Sequence, residues 1–519
     1  MKKFAQLLGF DPVAKQTSVR TEIVAGIVTF LAMAYILTVN PNSILYDGPN
    51  DIRWSSLFIA TALGAIIGTL LMAFLAKMPL AQASGMGLNS LVGSIIGGGI
   101  GIHAYGYTFS IGQAFAMVLI SGIVFLLLSV VSIKGKTFRE LVFDGMPTPI
   151  RSAISVGIGL FIAYIGFQNA GVIVTNGYTQ VSFVDFTNWG EQIVNANVDG
   201  WPAAKTAVVA LAGLFLIAIL DKHRVKGSVI LGIIGATLVG IPLGVTDLSV
   251  LSGSTPGITW KFWESIGNFF SVGETSVFAS FTDVFKVGFP ENSLFTVIML
   301  IITMCMIDMF DTMGTIVGCC SGNRILSDEN DKPHNYAKIM LSDSIATCSG
   351  ALLGTSTVTT FVESGAGVSA GGRTGLTAFT TACMFFLSMF AMPLFAVIPP
   401  AATASALIYV GVLMMKSNVK NINFSNSINA TAAFLTIVVM PLSYSITKGI
   451  GVGMLSYTLM TSAAYGIDMV KYAILKKKVT ADGAKTVDGV KLEKPEWNVS
   501  VVALVVTALF IVYFFVPMT

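Results

Sequence analysis

Charged residues are scarce along this chain. Lys, Arg, Asp and Glu make up 11% of its 519 residues, whereas 54% are hydrophobic and the mean hydropathy is +0.79. Soluble domains carry about 25% charged residues. Because the deficit extends over the whole length, lipid is the expected solvent for most of the chain, and a soluble fold is excluded. The net charge of +3 is too small for a nucleic-acid-binding footprint, so no nucleic-acid partner is expected.

Residues that perform catalysis or hold metal ions are also few. The five cysteines show no metal-ligand spacing, and the three histidines fall in expected connections, including the basic loop 221–226. The sequence has no recognisable nucleophile–base pattern and no glycine-rich phosphate-binding loop. We therefore expect no metal, no cofactor, no enzymatic activity and no ATP-driven pumping.

Long apolar runs recur along the chain instead. A helix needs about 20 apolar residues to cross a bilayer. Clear runs lie near 23–41, 55–76, 111–133, 150–174, 203–220, 227–246, 293–318, 374–397, 400–416, 428–445 and 447–466, and weaker glycine-rich runs lie near 83–101, 338–354 and 355–372. The pattern predicts an all-α polytopic membrane protein with about 14 spans in contact with the lipid bilayer. A further run at 498–517 is either an extra span or an interfacial segment.

Basic residues indicate the orientation of these spans. The N-terminal segment 1–20 is basic, and so is every second connection, as in the loop 221–226 and the tail after 466. The opposite connections are acidic or nearly uncharged. Because cytoplasmic loops collect Lys and Arg, the N-terminus and the end of the array are predicted to be cytoplasmic, in a multi-pass protein of the plasma (inner) membrane.

Two of the weak spans share an unusual composition. They read "AQASGMGLNSLVGSIIGGGIG" (81–101) and "GTSTVTTFVESGAGVSAGGRTG" (354–375). They are the third and tenth spans, and a repeat of seven spans places the second copy upside down in the membrane. Paired glycine-interrupted spans indicate a transporter site at the bilayer midplane, because broken backbone at that depth must be buried in protein or line a cavity. Close helix packing is the alternative explanation for small residues in a span.

Three acids inside predicted spans are candidate functional groups. Asp308 and Asp311 lie one turn apart in the eighth span, with Thr315 further along nearly the same face, and Glu363 lies in the tenth span. An acid at mid-membrane costs about 2.5–3.5 kcal/mol on insertion scales and usually serves a site or a proton path. Two acids on one stripe cannot both ionise cheaply, which suits a proton-coupling group. For Asp308, a hydrogen bond to neighbouring backbone is the alternative.

Five motifs carry a family resemblance. They are "EIVAGIVTFLAMAYILTVNPNSIL" (22–45), "SGMGLN" (84–89), "IRSAISVGIGLFIAYIGFQNAG" (150–171), "DMFDTMGTIVG" (308–318) and "GTSTVTTFVESGAGVSAGGRTGLTA" (354–378). Together they resemble the AzgA-like branch, the hypoxanthine/adenine/guanine permeases, of the nucleobase:cation symporter (nucleobase–ascorbate transporter) superfamily. The match extends from the N-terminus to about residue 466.

The resemblance implies a fold of two inverted seven-span repeats, with short strands breaking spans 3 and 10. A core domain would comprise 21–133 (spans 1–4) and 293–397 (spans 8–11), and a gate domain would comprise 150–246 (spans 5–7) and 398–466 (spans 12–14). Residues 247–292 would form an extracytoplasmic connection. Residues 467–519 would form a basic cytoplasmic tail with a further apolar segment. Elevator-like movement of the core against the gate, and a homodimer, are also implied.

The resemblance further implies import of purine nucleobases (guanine/hypoxanthine or adenine) by proton symport, with Na⁺ less favoured than H⁺. The substrate-binding set would be Glu363, Asp311, Asn89, Thr315, Ser364 and Gly87, and the proton-coupling set would be Asp308, Asp311 and Glu363. Thr315 stands where uracil-type relatives carry a His. The alternative function, an anion carrier or channel on the same fold, would place net positive charge at the site.

Overall fold

The computed structural model describes most of the chain. The described residues are 10, 16–45, 51, 53–96, 109–133, 136–137, 146–176, 178–190, 202–225, 227–252, 258, 260–270, 288–290, 293–320, 325–327, 333–482, 486–487, 490–491, 494–497 and 499–515. The predictions for most of segment 1–20, for much of the connection 247–292 and for the histidine at 103 concern residues outside these ranges.

Helices dominate the described residues. The first half of the chain contains α1 (Val19–Met33), α2 (Ile36–Ile44), α3 (Trp54–Leu71), α4 (Met86–Ile96), α5 (Ile111–Val130), α6 (Thr148–Asn169), α7 (Ala203–Lys222), α8 (Ser228–Gly240) and α9 (Phe262–Phe270). The second half contains α10 (Leu294–Cys320), α11 (Tyr336–Leu353), α12 (Ser364–Ser369), α13 (Gly375–Ser388), α14 (Met392–Ala396), α15 (Pro400–Asn418), α16 (Ser427–Leu442), α17 (Ile446–Asp482) and α18 (Val501–Phe515).

Strands are short and form antiparallel pairs. β1 (Gln82–Ser84) pairs with β6 (Val358–Thr360), and the other pairs each join neighbours in the chain. These are β2 (Ser132–Ile133) with β3 (Lys136–Thr137), β4 (Ile173–Asn176) with β5 (Gln180–Phe183), and β7 (Thr486–Val487) with β8 (Val490–Lys491).

Several of these helices suit a membrane. Among the described residues, seven stretches are long and apolar enough to span a bilayer: Val19–Ile44, Trp54–Ala76, Ile111–Val130, Thr148–Asn169, Ala203–Lys222, Gly375–Ala396 and Pro400–Asn421. Shorter apolar helices include Met86–Ile96, Ser228–Gly240, Leu294–Met309 and Ser427–Leu442. The chain is therefore a largely helical integral membrane protein. The count of 14 spans and their division into inverted repeats stay predictions.

The two glycine-interrupted segments meet through their strands. β1 lies in the predicted third span and β6 in the predicted tenth, and their register pairs Gln82 with Thr360 and Ser84 with Val358. The pairing continues beyond the strands, because Gly85 N donates to Thr357 O at 2.9 Å and Phe361 N donates to Ala81 O at 3.0 Å. Backbone groups that leave the helical pattern are thus satisfied by the partner segment, as burial away from water requires.

Glycines make room for β6 between neighbouring helices. A methyl group added at Gly68 of α3 would lie 2.8 Å from Val358, and one added at Gly350 of α11 would lie 2.5 Å from it. Gly354 then ends α11 with a φ of +84°, a left-handed conformation that favours glycine. Close approach and a tight turn therefore explain why this region is rich in glycine.

A buried carboxylate joins α1 to the start of α13. Glu22 is fully buried and accepts hydrogen bonds from Arg373 N at 2.9 Å, Thr374 N at 3.3 Å and the Thr377 hydroxyl at 2.5 Å. The N-terminal turn of a helix has unpaired N–H groups and a partial positive charge. The Glu22 carboxylate accepts hydrogen bonds from these N–H groups and compensates the partial charge, and it thereby links α1 to α13.

The chain folds as two compact units. One comprises residues 1–137 and 161–414 and contains both strands β1 and β6. The other comprises residues 138–160 and 415–517. Within the second unit, α16 and α18 both pack against α17, and Ala153, Val156, Ile422 and Ala433 form a small buried cluster. The predicted core and gate boundaries stay predictions.

Candidate functional site

A pocket lies where the strands β1 and β6 pass into the helices that follow them. It contains about 330 Å³ of space free of protein atoms, a volume that includes open solvent. Its lining comes from the two strand–helix junctions and from α6, α10 and α15: Gly85, Met86, Gly87, Ile162, Asp311, Thr315, Thr359, Thr360, Phe361, Val362, Glu363, Val410 and Met414.

Two carboxylates face this pocket. Asp311 comes from the middle of α10, and Glu363 is the residue that precedes α12. Glu363 is 5% exposed, and its Oε1 accepts a hydrogen bond from the Tyr35 hydroxyl at 2.5 Å. None of the described residues in the lining is basic. The site can therefore accept hydrogen bonds from a ligand, and its described lining offers no cationic side chain to attract an anion.

Of the predicted substrate-binding residues, four line the pocket. These are Glu363, Asp311, Thr315 and Gly87. Thr315 brings a hydroxyl-bearing side chain to the lining, and Gly87 has no side chain there. Phe361 also belongs to the lining, and this residue is 4% exposed.

Asn89 and Ser364 lie outside the described lining. Asn89 is fully buried, accepts a hydrogen bond from the Ser356 hydroxyl and donates from Nδ2 to Ser84 O at 3.4 Å. The Ser364 hydroxyl accepts a hydrogen bond from Ala81 N at 3.0 Å. Both side chains connect one glycine-interrupted segment to the other. In this structure they hold the pocket's backbone together rather than forming its surface.

Asp308 also lies outside the lining. It is 1% exposed, and its Oδ2 accepts a hydrogen bond from the Thr347 hydroxyl of α11 at 2.9 Å. The same hydroxyl lies 3.2 Å from Val358 O in β6. The structure therefore separates the two acids of α10, because Asp311 faces the pocket and Asp308 faces a neighbouring helix.

A further buried acid, Asp343 of α11, was missed by sequence reasoning. Its Oδ1 accepts hydrogen bonds from Gln82 Nε2 at 2.9 Å and from the Thr312 hydroxyl at 3.0 Å, and the Thr360 hydroxyl lies at 3.5 Å. One carboxylate thus joins β1, α10 and β6. A usable signal exists in the sequence: Asp308 and Thr312 on α10, like Asp343 and Thr347 on α11, are four residues apart and share a helix face.

A hydroxyl cluster supports β1 from a neighbouring helix. Asn40 Nδ2 donates to Thr61 at 2.7 Å, to Thr355 at 2.9 Å and to Ser84 at 3.3 Å, and the hydroxyls of Ser84 and Thr355 lie 2.7 Å apart. All four residues are fully buried. Small polar side chains here hydrogen-bond to one another and join α2 to both glycine-interrupted segments.

A known structure shares this fold. The transmembrane domain of the cyanobacterium bicarbonate transporter BicA superposes with a TM-score of 0.54, covering 83% of this chain and 97% of that one. The two sequences are 14% identical, so the likeness concerns the fold alone. This chain therefore has the same fold as that transmembrane domain.

Sequence relatives are closer. The adenine permease AdeP of Escherichia coli (strain K12) is 33% identical over 445 residues, which cover 86% of this chain and 87% of AdeP. The guanine/hypoxanthine permease PbuO of Bacillus subtilis (strain 168) is 34% identical over 451 residues, which cover 86% of this chain and 93% of PbuO.

The family assignment follows from these matches. Residues 20–452 match the Permease family, whose name refers to xanthine and uracil permeases, and this confirms the resemblance to the purine permeases seen in the sequence motifs. Members act as transporters, so the expectation that the chain is not an enzyme is confirmed as well. The chain belongs to the Permease family.

Proposed function

We propose that this protein is a secondary active transporter that imports purine nucleobases by proton symport. The observation that carries the proposal is the pair of carboxylates, Asp311 and Glu363, in a pocket whose described lining has no basic side chain. A purine presents ring N–H donors that carboxylates can accept. A site built to hydrogen-bond such groups rejects analogues that lack them, because its buried polar atoms would stay unpaired.

The names of the relatives support the substrate class. AdeP is an adenine permease and PbuO is a guanine/hypoxanthine permease, and both match most of this chain. Because the two relatives differ in their named purine, the proposal extends to guanine, hypoxanthine or adenine as the substrate.

In this proposal each lining residue has a part. Glu363 and Asp311 accept N–H groups of the base, Thr315 offers a hydroxyl, and the Phe361 ring packs against the planar ligand. Gly87 lets the base approach the backbone at the start of α4. Asn89 and Ser364 contribute indirectly, since their hydrogen bonds hold the two segments that form the pocket.

The proposed coupling ion is a proton, carried by Asp311, Glu363 and Asp308. Burial supports this choice, because Glu363 and Asp308 are 5% and 1% exposed and a buried acid is cheaper to keep when it can bind a proton. The remaining parts of the proposal follow the sequence: a plasma-membrane protein with a cytoplasmic N-terminus, elevator-like movement of core against gate, and a homodimer.

An anion carrier on the same fold is the competing function. The likeness to a bicarbonate transporter extends to the fold only. Two carboxylates beside a bound anion would repel it in a low-dielectric site, and selectivity for anions uses Arg or Lys. The described lining therefore favours a neutral ligand with hydrogen-bond donors.

A ligand panel on the purified protein tests the substrate class. Guanine, hypoxanthine, adenine, uracil and bicarbonate are compared for their effect on the melting temperature, because a ligand that binds only the folded state raises it. We expect at least one purine to stabilise the protein and bicarbonate to have no effect. Stabilisation by bicarbonate alone would refute the proposal.

Uptake into cells or proteoliposomes tests the coupling ion. Proton symport predicts faster purine uptake at acid outside pH and collapse of accumulation when a protonophore is added. Uptake that is indifferent to both, yet requires Na⁺, would contradict proton coupling while leaving the substrate class intact.

A further inference from the structure

Tyr35 occupies an interruption in the first membrane-spanning stretch. α1 ends at Met33 and α2 begins at Ile36, so Tyr35 lies in the turn between two helices. Its carbonyl accepts hydrogen bonds from Thr38 N at 3.1 Å and Val39 N at 2.9 Å, which fixes its backbone at the start of α2. The residue is 1% exposed. A bulky side chain at this point has its direction set by the helix that follows.

The hydroxyl of Tyr35 reaches the pocket's strand–helix junctions. It donates to Glu363 Oε1 at 2.5 Å, and it lies 3.8 Å from the sulfur of Met86. Glu363 and Met86 both line the pocket, whereas Tyr35 is not part of the described lining. One phenol therefore connects the first span to the end of β6 and to the start of α4.

This hydrogen bond determines what Glu363 can offer to a ligand. An ionised carboxylate has two acceptor oxygens and no donor of its own. When the phenol occupies Oε1, the carboxylate is held in one orientation and its other oxygen stays available. A group whose rotamer is locked by a supporting hydrogen bond binds with a smaller entropic loss than a mobile one.

We propose that Tyr35 is a positioning residue for the substrate, whose hydroxyl orients Glu363 so that its second oxygen receives a ring N–H of the purine. The inference rests on the proposed function. It adds a residue from the first predicted span to a site lined by residues of the third, fifth, eighth, tenth and twelfth predicted spans. Tyr35 acts through Glu363 and does not contact the ligand.

Tyr35→Phe is the direct test, because it removes the hydroxyl and keeps the ring. Hydrogen bonds to charged groups are worth more than neutral ones, so we expect the Kd of the purified protein for hypoxanthine, guanine or adenine to rise by about tenfold. Unchanged or tighter binding would overturn the inference. In membrane vesicles, which avoid detergent, the same variant should raise the KM of uptake more than it lowers the maximal rate.

Thr38→Val is the matched control. Thr38 lies on α2, three residues after Tyr35, is fully buried, and donates its hydroxyl to Phe395 O at 3.2 Å. The substitution Thr38→Val removes one buried hydroxyl from the same predicted span, at a position outside the described pocket lining. Purine affinity should stay close to that of the unmodified protein. An equal loss of affinity in both variants would show a general effect of weakening the span, and would overturn a specific role of Tyr35.

A double-variant comparison tests whether Tyr35 acts through Glu363. The melting temperature without ligand is measured for Tyr35→Phe, Glu363→Ala and both together. Residues in contact give non-additive effects, so Tyr35→Phe should lower the melting temperature less when Glu363 is already absent. Strict additivity would overturn the inference. Failure of the unmodified protein to bind any purine would instead refute the proposed function and this inference with it.

Discussion

Four acids near the paired strands β1 and β6 form two pairs with different surroundings. Asp311 and Glu363, the pocket acids, line a cavity. Asp308 and Asp343, the rear acids, accept hydrogen bonds from threonines of the facing helix: Thr347 donates to Asp308 at 2.9 Å and Thr312 donates to Asp343 at 3.0 Å. The contrast is sharpest between Asp308 and Asp311, which are three residues apart on the same helix.

The rear acids form a reciprocal ladder between α10 and α11. Each helix supplies one Asp and one Thr, four residues apart, and each Asp pairs with the Thr of the other helix. Gln82 of β1 and Thr360 of β6 also reach Asp343. The rear acids are held in place by hydrogen bonds from their own fold, whereas an acid that faces a cavity is available to a ligand. Neutralising them should therefore have different consequences.

Asp343→Ala should have the largest effect on stability. Leaving a buried donor unsatisfied costs about 1–3 kcal/mol, and three donors surround this carboxylate, so the loss should reach about 3 kcal/mol or more. We expect little folded protein in the membrane and a much lower melting temperature. Asp343→Asn keeps one acceptor oxygen and should be milder. An Asp343→Ala variant that melts at the same temperature as the unmodified protein would contradict a structural role for the ladder between α10 and α11.

Asp311→Asn should mainly affect binding. A hydrogen bond to a charged acceptor is worth about 1.5–3 kcal/mol, so purine affinity should fall by about tenfold or more. Asp308→Asn is the matched variant, because Asp308 lies one turn away on the same helix. It should bind purines nearly normally, but the pH dependence of net uptake should be weaker. Titration calorimetry on both variants distinguishes them. If Asp308→Asn abolishes binding and Asp311→Asn preserves it, the assignment of pocket and rear acids is reversed.

Gly350→Ala tests how closely β6 packs against α11. The added methyl would lie 2.5 Å from Val358 and 3.1 Å from Ser356 O, and overpacking of this kind costs about 1–3 kcal/mol. We expect a lower melting temperature. Gly466→Ala on α17 is the control, since a methyl there meets no atom within 4 Å. Equal melting temperatures for the two variants would contradict the close seating of β6.

Ser356→Ala should have the smallest effect. It removes the hydroxyl that donates to Asn89 Oδ1, and a typical hydrogen bond contributes about 0.5–1.5 kcal/mol. The melting temperature should fall slightly while purine affinity changes little, because Asn89 lies outside the described lining. A large loss of affinity with unchanged stability would indicate that Asn89 contacts the ligand directly.

The sequence predicted the parts of the site that follow from composition. Glycine, serine and threonine inside apolar runs 81–101 and 354–375 indicated interrupted spans, and the structure pairs β1 with β6 inside those runs. The lone acid Glu363 in such a run was a strong candidate for the pocket, and it lies there. Charge inside a membrane is costly enough to be informative from a single sequence.

Side-chain direction could not be obtained in the same way. Spacing alone placed Asp308 and Asp311 on nearly one face of α10. In the structure Asp308 contacts the neighbouring helix α11, whereas Asp311, one turn later, lines the pocket. Asn89 and Ser364 lie just after the strand–helix junctions. The direction of their side chains depends on the register between β1 and β6, which the sequence does not reveal. Tyr35 looks like ordinary packing in an apolar run, because its partner Glu363 is 328 residues away.

Binding of radiolabelled hypoxanthine, guanine and adenine to purified Glu363→Ala tests the central claim most directly. The claim is that a purine lies in this pocket and donates to the pocket acids. Loss of the charged acceptor should weaken binding of the preferred purine by about tenfold or more. The amount of folded protein in the membrane should stay near normal. Unmodified affinity in that variant, measured in detergent on folded protein, would contradict the account.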